Sequence, residues 1–193
     1  LDDYLVPNID RNSLEDLAHW FLEEHYPAAF ATPGHIDVKA MIWEMGLQAY
    51  KTGLSMDGSK KGALFLYGKN AKFYTENGMP VFKEVPPKTI IIDRILCHDN
   101  MCKANNTAMH ECCHFGLHSL FFLFQENYIQ ELHEYFEPIE EEYLPLDDED
   151  LKEISKMEWQ ANRLVPRILM LDDWVDEKMQ ELLPKYAWMN EFA

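Results

Sequence analysis

The sequence predicts a single α+β domain, mostly helical, with one small antiparallel sheet. Three observations carry that expectation. Apolar residues recur at helical spacing towards both ends of the chain. The middle stretch, Gly53 to Lys88, breaks into short runs separated by turn residues. At 193 residues, with 47% hydrophobic and 13% aromatic residues, the chain suits one substantial core better than two. No internal repeat or low-complexity linker divides residues 1–193.

Ser13 is placed to cap a first helix running to Tyr26, with Leu14, Leu17, Ala18, Phe21 and Leu22 on its apolar face. Pro27 and then Pro33-Gly34 break it. A second helix takes Ile36, Ala40, Ile42, Trp43 and Leu47 as its apolar positions. The runs Ala63 to Tyr67, Lys72 to Thr75 and Val81 to Glu84 read as an antiparallel meander, with Gly68-Lys69-Asn70 and Asn77-Gly78 as its turns. Thr89 to Asp93 follows as a well-buried strand. Asn105-Asn106-Thr107 offers N-cap chemistry for a long helix reaching about Phe124. Glu126 to Phe136 reads as helical, and an acidic run from Pro138 through Asp150 as a solvated loop. Helices from Leu151 towards Met170 and from Asp172 to Leu183 complete the chain.

The 34 acidic residues outnumber the 17 basic ones, a formal net charge of −17. Phosphate backbones are repelled by such a chain, which argues against direct nucleic-acid binding and suits a partner with a basic surface. No apolar run reaches the length of a bilayer span, and the N-terminus lacks a basic-then-apolar leader. The first residue is Leu1 rather than Met, which leaves room for an upstream piece. Four cysteines are too few for a disulfide scaffold, so a reducing cytoplasm is the expected location.

Chemistry concentrates at His110-Glu111-Cys112-Cys113-His114, an HExxH pattern on the long helix. At about 100° per residue, the two histidines fall about 40° apart and one turn apart in height, so both imidazoles reach one ion. Glu111, about 100° round from His110, stands beside that ion as a general base should. A catalytic zinc also needs a third protein ligand. On the helix from Leu151, the apolar arc is Leu151, Ile154, Met157, Ala161, Leu164, Val165 and Ile168. Glu158 falls inside the arc and Glu153 at its edge. A carboxylate on a buried face needs a cation, and Zn2+ supplies one; a buried ion pair with Arg or Lys is the alternative. Asn162 is placed to orient Glu158, and Pro166 to kink the helix or free the Asn162 carbonyl.

His118 lies about 12 Å along the axis from His110, too far to share the ion from a straight helix. It reads as a helix-surface histidine or one that supports a ligand from behind. Cys97, His98 and Cys102 make at most half of a structural zinc site. Cys112 and Cys113 read as small packing residues, and Phe73 and Tyr74 as core. The oxyanion-stabilising residue stays open among the Tyr and His side chains.

The sequence resembles the ImmA/IrrE family of metallo-endopeptidases. The resemblance rests on Asn106-Thr107-Ala108-Met109-His110-Glu111-Cys112-Cys113-His114, on Glu158-Trp159-Gln160-Ala161-Asn162, and on Pro166-Arg167-Ile168-Leu169-Met170. It implies a zincin-like domain with a gluzincin-like site: His110, His114 and Glu158 as metal ligands and Glu111 as catalytic base and acid. It also implies a cytoplasmic endopeptidase acting on a protein substrate such as a helix-turn-helix repressor. Leu171-Asp172 departs from the family pattern, where a proline is common. A regulatory protein-binding module that retains the metal site with little proteolysis is the alternative.

Overall fold

The computed structural model describes residues 1, 5–31, 34, 36–57, 59–95, 100–124 and 148–186. The architecture is α+β, with helices packed around a three-stranded sheet and a separate two-stranded one. The expected helix at Glu126 to Phe136 and the acidic run up to residue 147 lie outside the described residues.

Helix α1 spans Leu14–His25 and buries Leu14, Ala18, Phe21 and Leu22. Ser13 does not cap it. Its hydroxyl donates to the Asp10 carbonyl, while the Asp10 carboxylate caps the preceding 3-10 turn, Arg11–Ser13. A second 3-10 turn, Pro27–Ala31, sits where the first proline ends α1. Helix α2, Val38–Glu44, starts on the Asp37 carboxylate, which accepts from the Ala40 amide at 3.0 Å.

α2 stops three residues short of Leu47. Gly46 takes φ +69°, the Leu47 amide returns to the Ile42 carbonyl and the Gly46 amide to that of Trp43. This Schellman closure packs Leu47 beside Ile42 in the core, and Trp43 is left 79% exposed rather than facing inward.

The sheet corrects the expected meander in two ways. Strand β1, Gln48–Thr52, has no counterpart in the sequence reading, because an exposed edge strand carries no apolar alternation. It pairs parallel with β5, Thr89–Asp93, which is buried throughout. Strand β2, Gly62–Phe65, pairs antiparallel with the other side of β5, giving the order β1-β5-β2. Strands β3, Lys69–Tyr74, and β4, Pro80–Val85, form their own hairpin, turned at Asn77-Gly78 with Gly78 at φ +74°. Lys69 and Asn70 belong to β3 rather than to a turn. At the end of β5 the buried Asp93 carboxylate accepts from the amides of Leu54 and Ile95, each at 2.8 Å, which ties the chain after β1 to the sheet end.

Helix α3 spans Met101–Phe124, starting before the expected cap. The Asn100 side chain accepts from the Lys103 amide at 2.9 Å, so Asn105, Asn106 and Thr107 lie inside the helix. Ala104, Ala108, Met109, Cys112, Cys113, Leu117 and Phe121 form its buried face. Helix α4, Asp148–Leu169, already includes the last acidic residues and runs through Pro166. It packs on α3 and α1 with Met157, Ala161, Leu164, Val165 and Ile168 buried. Helix α5 spans Asp172–Tyr186.

Glycine sets the α1–α3 approach. A Cβ on Gly116 would stand 2.5 Å from Phe21 Cε2 and 3.0 Å from His25 Nε2. Helix propensity alone favours replacing a helical glycine by about 1 kcal/mol. Overpacking reverses the sign here, so Gly116→Val is expected to destabilise the fold by about 2 kcal/mol in urea unfolding. An unchanged midpoint would show that α1 is free to move aside.

Candidate metal centre

Helix α3 carries His110, Glu111 and His114, and α4 brings a carboxylate across to them. The Nε2 atoms of His110 and His114 lie 3.0 Å apart. Glu158 Oε2 is 3.3 Å from His110 Nε2, and its Oε1 is 3.1 Å from His114 Nε2. Ligands about 2.0–2.1 Å from a tetrahedral ion stand about 3.3 Å from one another, so one small cation fits this triangle. Two imidazoles and one carboxylate also leave a fourth position open, the donor set of a catalytic zinc site.

The electrostatics agree with the donor set. Burial pushes the Glu158 carboxyl upward, but its hydrogen bonds to His110 and His114 outweigh that and hold it well below the usual carboxylate range. Burial pulls His110 down, yet the Glu158 contact and the nearby Glu111 charge leave it raised. Glu158 therefore sits among groups that favour its ionised form, and the partners described for it are His110 and His114.

Behind this triangle, His118 is fully buried, which excludes the helix-surface placement. The Gln160 amide nitrogen donates to the Pro7 carbonyl, so its oxygen faces His118 Nε2 at 2.8 Å and that nitrogen carries the proton. Burial, reinforced by the His114 charge, lowers the His118 pKa to about 3, so the ring is neutral and its Nδ1 holds a lone pair. His114 Nδ1, 3.0 Å away, is then the donor in that contact, which fixes the orientation of the ring whose Nε2 faces Glu158. The Pro7 carbonyl thus orients His114 through two side chains, Gln160 and His118.

Gln160, rather than Asn162, is the residue of α4 that supports the site. Asn162 is exposed and lines the cleft. Gln160 was missed because a glutamine on an apolar arc gives no sequence signal apart from its burial. Glu153 is half-buried and ion-paired with Lys156 at 3.6 Å rather than fully solvated. Phe73 is buried and Tyr74 half-buried, as core residues of the hairpin.

Glu111 faces a cleft of about 1040 Å3 beside the histidines. Burial raises its pKa, with His114 and His110 pulling the other way. Gly62 of β2 lies against it: a Cβ there would meet Thr107 Cγ2 at 2.6 Å and Glu111 Oε1 at 3.0 Å. The missing side chain lets an edge strand run directly over the carboxylate. No tyrosine lines the cleft among the described residues. Cys112 and Cys113 are buried and their thiols pushed up by burial, as packing residues should be. Cys102 is exposed, and Cys97 and His98 lie outside the described residues.

A second group, Glu15, His19 and Asp173, also gathers possible ligands. Glu15 already accepts from the Asp172 amide and lies 4.0 Å from Arg167, so it ties α1 to the start of α5. Neither the models of known protein families nor the curated proteins give a match to this chain.

Two outcomes follow from the relay. His118→Leu removes the acceptor for His114 Nδ1 and is expected to weaken zinc binding about 10- to 100-fold in chelator competition. Undiminished affinity in a folded variant would show that the relay does not hold the ligand. In metal-free protein, the unfolded His118 binds a proton below about pH 6.5 that the folded ring refuses until about pH 3. The difference is absent above pH 6.5 and costs the folded state increasingly as pH falls towards 3. Between about pH 6 and 4, wild type should lose up to about 1.4 kcal/mol per pH unit more than His118→Leu, read from urea unfolding across pH.

Proposed function

We propose that this chain is a zinc-dependent endopeptidase with a gluzincin-like site in a zincin-like domain. His110, His114 and Glu158 are the ligands and Glu111 is the base. The observation that carries the reading is the Glu158 carboxylate, which meets both imidazoles of the HExxH pattern at 3.1 and 3.3 Å. When bound, zinc supplies a Lewis acid that acidifies water and polarises a carbonyl.

The chain's own residues account for the rest. Glu111, raised by burial, is suited to take a proton from the attacking water and return it to the leaving amine. β2 is an edge strand whose residues line the cleft, so an extended peptide can add to it beside Glu111. Pairing there would place a scissile bond over Gly62, where no side chain intervenes. The resemblance to the ImmA/IrrE family supports the same chemistry and makes a helix-turn-helix repressor the first substrate to try. No helix among the described residues is long and apolar enough to cross a membrane. Free thiols at Cys102, Cys112 and Cys113 fit the cytoplasmic setting of this proposal.

Elemental analysis and peptide digestion test it together. Wild type should carry about one zinc per chain and cleave a mixed peptide library, read by mass spectrometry. His110→Ala should lose the metal. Glu111→Gln should keep the metal and lose cleavage by about a thousandfold or more. Cleavage that survives Glu111→Gln would remove Glu111 from the chemistry. Bound zinc without cleavage in wild type would favour the regulatory binding module instead.

A further inference from the structure

The cleft has two walls at the metal centre, because α3 packs against β2 on one side and against α4 on the other. Glu111 stands on the β2 side, where a Cβ on Gly62 would come within 3.0 Å of its Oε1. Glu158 enters from the α4 side and turns both carboxylate oxygens to the imidazoles. The next polar side chain of α4 along the cleft is Asn162, one turn further on. Four residues advance a helix by about 6 Å and about 40°, so Asn162 keeps the Glu158 face. Helical side chains lean towards the N-terminus, which directs the Asn162 carboxamide back over Glu158 and the metal centre. We propose that Asn162 is a catalytic residue, whose carboxamide N–H donates to the scissile carbonyl oxygen as that oxygen takes up negative charge. The inference rests on the peptidase reading and adds to it the group that meets the oxygen.

The carboxamide is available for this task. Asn162 is exposed, and among the described residues its side chain has no hydrogen-bond partner. A side chain that oriented Glu158 would be bonded to it, yet both Glu158 oxygens face imidazoles instead. The other neutral donors along the cleft are Ser59, Asn70, Asn100, Asn106 and Thr107. Asp57 engages Ser59, Asn70 lies on the hairpin, and Asn100 caps the start of α3. Thr107 is packed against Gly62, on the Glu111 side. Asn106 precedes His110 by one turn, so the same lean carries it away from the centre.

The chemistry fixes what that donor has to do. Water attacks from the Glu111 side: its oxygen bonds to the carbonyl carbon, one proton passes to Glu111, and the carbonyl π pair moves onto the oxygen. When that pair returns, the C–N bond breaks and the amine leaves with the Glu111 proton. The second water proton stays on the new carboxylic acid. Throughout, the carbonyl oxygen lies away from the attacking water, towards α4. An N–H that meets it there binds the charged oxygen more strongly than the neutral carbonyl, which raises kcat and leaves KM nearly alone.

The test uses zinc-loaded protein and a peptide from the mixed library that wild type cleaves. Asn162→Ala should lower kcat about 100- to 1000-fold and move KM by less than about threefold. Zinc affinity in chelator competition should stay at the wild-type value. A phosphinic analogue of the peptide, with a tetrahedral anionic group at the scissile bond, should bind Asn162→Ala at least about tenfold less tightly than wild type. The peptide itself, held uncleaved by Glu111→Gln, should bind equally well when Asn162→Ala is added. Alanine is a better helix former than an exposed asparagine, so the variant keeps its fold. Asn106→Ala is the matched control and should leave kcat within about twofold.

A fall in zinc affinity that tracks the fall in kcat would make Asn162 a positioning residue for Glu158 and overturn the inference. So would a raised KM at unchanged kcat, or equal losses in Asn106→Ala and Asn162→Ala. Lys61, whose charge reaches His110, is the rival on the β2 wall, and a larger loss in Lys61→Met would move the role there. Full activity in Asn162→Ala rejects the inference and keeps the peptidase reading. Zinc-loaded wild type that cleaves no peptide of the library rejects the peptidase reading and this inference with it.

Discussion

Everything that gives this protein a chemical centre depends on one junction, where α3 and α4 meet through polar atoms inside an apolar interface. Leu117, Phe121, Met157, Ala161 and Leu164 supply the packing, and its burial fixes the distance between the helices. Into that interface the chain sets His114, His118, Gln160 and Glu158, each satisfied by another or by the backbone. Buried polar groups without partners would each cost about 1–3 kcal/mol, so the network is held as a unit. The packing places the helices, and the polar chain then orients each ring.

Some of this arrangement was legible in the sequence and some was not. The spacing of His110, Glu111 and His114 follows from helical geometry, and Glu158 stood out as a carboxylate on an apolar face. Both depend on local periodicity, which one sequence displays. β1 was invisible for the opposite reason: an edge strand exposed to solvent has no apolar rhythm, and the preceding helix absorbed Leu47. The Gly46 that ends that helix was a readable signal, overlooked because Leu47 continued the apolar count. Ser13 shows another limit. A capping residue type occupies the expected position, but its hydroxyl is already engaged with Asp10.

Relations between distant segments lay furthest out of reach. Nothing local to Gly62 announces that it will rest against Glu111, since the contact joins a strand to a helix far along the chain. The same holds for Pro7 and Gln160.

The Pro7 carbonyl carries a last consequence, in terms of inheritance rather than energy. Its part in the relay is played by a main-chain oxygen, which every amino acid possesses. Residue 7 is therefore free to drift in identity so long as the chain follows the same path, whereas Gln160 must offer a donor and an acceptor at once. Among related sequences the two ends of one hydrogen bond would show opposite patterns, variation at one and constancy at the other. A search for invariant letters would find half of the contact and overlook the other half.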